Sequence, residues 1–90
     1  MEIQSYVPRH EKHWNQNVND GSGEAEIYCE DRIVRLFTYP GGVHGEPFTS
    51  FETYCAGKIF QARLPKHYHP RWWRRLAMQF EWDVDRSVDG

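Results

Sequence analysis

Between residues 24 and 39 the sequence alternates as a half-buried strand must. In Glu24-Ala25-Glu26-Ile27-Tyr28-Cys29-Glu30, Ala25, Ile27 and Cys29 fall to one side, and Glu24, Glu26 and Glu30 to the other. Successive side chains of an extended chain point to opposite faces, so this run buries a single face only as a strand. After Asp31-Arg32 comes Ile33-Val34-Arg35-Leu36-Phe37-Thr38-Tyr39, rich in the β-branched and aromatic residues that suit a pleated surface. The two runs predict an antiparallel β-hairpin with its turn near Glu30 to Arg32. Pro40-Gly41-Gly42 ends the second strand, and a loop is expected through His44, Gly45 and Pro47.

Upstream, Ile3 to Val7 reads as a short strand closed by Pro8. Residues 9–23 are almost wholly polar, with only Trp14 and Val18 to anchor them, and are expected to form a long mobile loop. Downstream, Thr49 and Glu52 have the spacing of a helix capping box. Phe51, Tyr54, Cys55, Ile59 and Ala62 then recur at helical steps, which predicts a first helix. Gly57 weakens it, and a break at Ala56-Gly57 with Ile59 to Leu64 as a strand is the rival reading.

Pro70 is placed for the first turn of a second helix, with Trp73, Leu76, Ala77, Phe80 and Val84 on one face and Arg71, Arg74 and Arg75 opposite. Residues 76–84 also alternate as a strand would. No β-branched residue occurs between Pro65 and Asp83, so propensity favours helix from about Pro70 to Phe80. Residues 83–90 are acidic and are expected to fray. The whole is expected to be one small α+β domain, an antiparallel hairpin or small sheet packed against two short helices.

Ninety residues sit near the lower limit for folding without staples, but an aromatic content of 16% makes a compact core attainable. Lys and Arg number 11 against 13 Asp and Glu, a net charge of −2, whereas general nucleic-acid binders carry a clear positive excess. No apolar run is long enough to span a membrane. Two cysteines are too few for a disulfide framework, and no basic-then-apolar leader opens the chain, so a reduced, cytoplasmic protein is expected.

Cys29, Cys55, His67 and His69 are the right ligand types for a structural zinc, but they lack a close Cys pair, and both cysteines fall on apolar faces. Neither cysteine sits in a nucleophile turn, and Gly41-Gly42 is too short to cradle a phosphate. No catalytic role and no cofactor are expected.

The strongest signal is Lys66-His67-Tyr68-His69-Pro70-Arg71-Trp72-Trp73-Arg74-Arg75. On a helix, Trp72, Met78 and Trp82 lie away from the Trp73 face, and exposed Trp beside Arg is the composition of a contact hot spot. Tyr68, Arg71, Trp72, Arg74, Arg75 and Trp82 are therefore the candidate partner-binding residues. The expected function is non-catalytic docking on a larger protein as a regulator or inhibitor. The alternative is a nucleic-acid-binding module in which the same arginines hold phosphates and Trp72 or Tyr68 stacks on a base. An exposed Trp would also serve a homodimer.

Overall fold

The computed structural model describes residues 15–16, 21–29, 32–43 and 45–89. Among the described residues, five strands form one antiparallel sheet in chain order: β1 (Asn15–Gln16), β2 (Gly23–Cys29), β3 (Arg32–Tyr39), β4 (Phe48–Cys55) and β5 (Lys58–Leu64). A 3-10 turn over Pro70–Trp72 leads into an α-helix, α1 (Trp73–Asp89). The expected strand at residues 3–7 lies outside the described residues, as does most of the expected loop at 9–23. Within that loop, Asn15 and Gln16 pair with Glu24 and Gly23.

The β2–β3 hairpin forms where the alternation predicts it, with register from Gly23 opposite Thr38 to Cys29 opposite Arg32. Ala25, Ile27, Cys29, Val34 and Leu36 are buried on its inner face.

The first predicted helix does not form. Its residues make β4 and β5, joined by Ala56 and Gly57, whose φ values of 53° and 80° suit a tight two-residue hairpin turn. The rival reading, with a break at Ala56-Gly57 and a strand after it, fits this half of the segment. Thr49, Phe51 and Thr53 point inward and are 0%, 4% and 2% exposed. Two of these three inward positions are threonines, so the period-two burial is hidden from a count of apolar residues. Their hydroxyls tolerate burial because each is hydrogen-bonded: Thr53 donates to the Ile33 carbonyl at 2.9 Å, and Thr49 to the Lys66 carbonyl at 2.8 Å. The hydroxyl read as a helix cap thus bonds across the fold.

One α-helix covers the sheet among the described residues. Trp73, Ala77, Phe80, Glu81 and Val84 are its buried positions, spaced at three- and four-residue steps. They rest on inward rows of the sheet such as Ala25–Leu36–Phe51–Ala62, and the Phe80 ring stacks on Phe51 at 5.6 Å. The helix starts after the 3-10 turn and runs past Phe80 to Asp89, so residues 83–89 are helical where fraying is expected. Two attachments hold these later turns. Val84 is 3% exposed, and Arg32 on β3 places Nη2 2.6 Å from Asp85 Oδ1 and Nε 3.1 Å from Glu81 Oε2.

Candidate interaction surface

The helix positions one aromatic pair in opposite directions. Trp73 is 4% exposed, and its indole N–H donates to the Tyr68 carbonyl at 2.8 Å, which anchors the linker to the helix start. Trp72, one residue earlier, is 40% exposed, and Trp82 on the same outer side is 57% exposed. Between them runs an open groove of about 490 Å³, lined by Arg71, Trp72, Arg74, Arg75, Met78, Gln79 and Trp82. The spacing Arg71, Arg75, Met78, Trp82 follows the helical repeat, so the chain has a second stripe opposite its core stripe.

Guanidinium groups crowd these indoles. The Arg71 and Arg75 guanidinium carbons lie 5.7 and 5.6 Å from the Trp72 ring centre, and that of Arg86 lies 4.9 Å from the Trp82 ring. Among the described residues, Arg71, Arg74, Arg75 and Arg86 make no ion pair with a carboxylate. Arg32 is the contrast. Burial alone disfavours its charge, but the hydrogen bond to Asp85 and the charges of Glu81 and Asp85 outweigh this and raise it above its ordinary value.

Of the expected contact residues, Arg71, Trp72, Arg74, Arg75 and Trp82 come together in the groove, and Tyr68 does not line it. Tyr68 packs against the core instead, with the Lys66 ammonium 5.5 Å from its ring. Arg86 is the member that sequence reasoning misses. Its signal is the four-residue step from Trp82, which places a cation beside that indole.

The zinc candidates are held apart by structural tasks. Cys29 is buried in the core, and Cys55 packs at its edge. His69 accepts a hydrogen bond from the Arg71 backbone N–H at 3.2 Å and so caps the 3-10 turn. His67 Nδ1 lies 2.8 Å from the Thr38 hydroxyl, which lies 2.7 Å from the Thr49 hydroxyl. Thr49 donates to the Lys66 carbonyl at 2.8 Å, and the Thr38 hydroxyl also lies 3.3 Å from the Phe48 carbonyl and accepts from the Tyr68 backbone N–H at 3.4 Å. Among the described residues no group of three or more His, Cys, Asp or Glu is placed to hold a metal ion.

A second open face lies on the other side of the sheet, where Tyr54 and Ile59 are each 64% exposed and face one another across β4 and β5. A groove of about 480 Å³ crosses this side. Of its lining side chains, Arg35 pairs with Glu26 at 3.3 Å, Gln61 donates to Glu52 at 3.1 Å, and Arg63 lies over the Phe48 ring at 3.6 Å. One of its two arginines thus has a carboxylate partner, whereas Arg71, Arg74 and Arg75 in the helix groove have none among the described residues.

Comparison of the chain with protein-family models, with curated proteins and with solved structures gives no match.

Proposed function

We propose that this protein is a non-catalytic docking module. It binds a larger protein through the outer face of α1, with Trp72 and Trp82 as anchors and Arg71, Arg74 and Arg75 as the orienting charges, and acts on that partner as a regulator or inhibitor. The observation that carries this is the pairing of two exposed indoles with arginines that have no carboxylate partner among the described residues, on the outer side of the helix. Aromatic and arginine side chains contribute most where they are desolvated together, and the core does not use these. The polar lining of the helix groove is arginine and Gln79, a set suited to charge pairing and hydrogen bonding with a partner.

The test is affinity capture from lysate with and without nuclease, comparing wild-type protein with Trp72→Ala and with Arg35→Ala as a control on the opposite face. A protein retained after nuclease by the wild type and the control, but lost with Trp72→Ala, supports docking. Retention that disappears with nuclease transfers the face to nucleic acid. Equal capture by Trp72→Ala removes the helix face from the account.

A further inference from the structure

Resting on that docking surface, we infer that its partner presents an acidic polypeptide segment, whose carboxylates pair with Arg71, Arg74 and Arg75 while its apolar side chains enter the groove beside Met78. Three observations converge on this.

The first is charge. The groove gathers arginines that have no carboxylate partner among the described residues, although the chain as a whole carries a net charge of −2. Such segregation leaves a cationic patch whose complement lies on another molecule.

The second is position along the helix. The peptide dipoles make a helix N-terminus positive, so the first turn favours acidic side chains. The first turn of α1 has none and carries Arg74 and Arg75 instead, preceded by Arg71. Capping and charge placement are local rules that folded chains break chiefly at functional sites. An incoming carboxylate meets both the guanidinium groups and the positive end of the helix.

The third separates an acidic polypeptide from a nucleic acid, which would satisfy the first two equally. Stacking of a base requires a bare aromatic face. Here Arg71 and Arg75 already stand by the Trp72 ring and Arg86 by the Trp82 ring. A base stacking on either ring would compete with these cations for its face. A carboxylate would not, because it bonds to the N–H edge of a guanidinium and leaves that group beside the ring.

The experiment is a titration of purified full-length protein, followed by fluorescence anisotropy, with a labelled amphipathic glutamate–leucine peptide. An oligothymidylate of matching charge serves as the nucleic-acid arm. The peptide should bind, bind more weakly as salt rises, and lose roughly tenfold in affinity with Arg74→Glu. That variant removes a misplaced charge from the helix start, so its melting temperature should equal or exceed the wild-type value, which separates lost binding from lost folding. Arg74→Lys should retain part of the affinity. Tighter binding of the oligothymidylate than of the peptide overturns the inference, as does equal peptide affinity for Arg74→Glu or no peptide binding at all. If peptide binding fails while Trp72-dependent capture persists, the acidic partner falls and docking stands. If Trp72 dependence itself is lost, docking falls first.

Discussion

His67, Thr38 and Thr49 show how single polar residues determine what the sequence seems to say. Their hydrogen bonds link the imidazole through two hydroxyls to the Lys66 carbonyl, and this network fastens the linker before α1 to the middle of the sheet. Thr49→Val keeps the shape but removes one donor and one acceptor from a position that is 0% exposed. It should destabilise the protein by about 1–3 kcal/mol in urea unfolding, the usual cost of leaving buried polar partners unsatisfied. With the Thr38 proton on Thr49 or on the Phe48 carbonyl, the nitrogen shifts of the His67 ring should show a proton on Nδ1; a proton on Nε2 alone would mean that Thr38 donates to the imidazole instead. Inward threonine is also why β4 was illegible. Thr49 and Thr53 count as polar in any pattern of apolar residues, and only the sheet supplies the partners that let them be buried. Trp72 and Trp82, by contrast, were legible as outward-facing residues because no helical stripe containing Trp73 and Phe80 accommodates them.

Secondary-structure elements were legible where local preference and burial agree. β2 and β3 alternate cleanly, and α1 follows a segment free of β-branched residues, so pattern and propensity coincide there. The extent of the helix was not legible. Its second half is held by Arg32, which joins β3 to Glu81 and Asp85 across 49 and 53 positions of sequence, a contact that no local window contains. Arg32→Ala should cost about 3 kcal/mol, since it leaves the 7% exposed Glu81 side chain facing the core without its cation. The double change Arg32→Met with Glu81→Leu should recover most of that loss, which a thermodynamic cycle of urea unfolding would measure. Arg32 is raised above its ordinary value in the fold, so its contribution is fully present below the unfolded value and lost only as pH rises through the raised one. The cost of Arg32→Ala should therefore be the same at neutral and at mildly alkaline pH.

Among the described residues, the helix lies over one face of the sheet and leaves its own outer stripe and the far side of the sheet open. Among the described residues, no helix is long and apolar enough to cross a membrane. The two surfaces are electrostatically different. Across the sheet, Arg35 pairs with the Glu26 carboxylate and Arg63 lies over the Phe48 ring, whereas among the described residues none of Arg71, Arg74, Arg75 and Arg86 on the helix stripe pairs with a carboxylate. This difference is why we assign docking to α1, although Tyr54 and Ile59 are more exposed than either outward tryptophan. The most direct test is hydroxyl-radical footprinting of the free protein and of its captured complex, read at each aromatic residue. Trp72 and Trp82 should be oxidised in the free protein and protected in the complex, with Trp73 shielded in both. Unchanged oxidation of Trp72 and Trp82, with protection appearing at Tyr54 instead, would contradict the assignment and place the partner on the sheet.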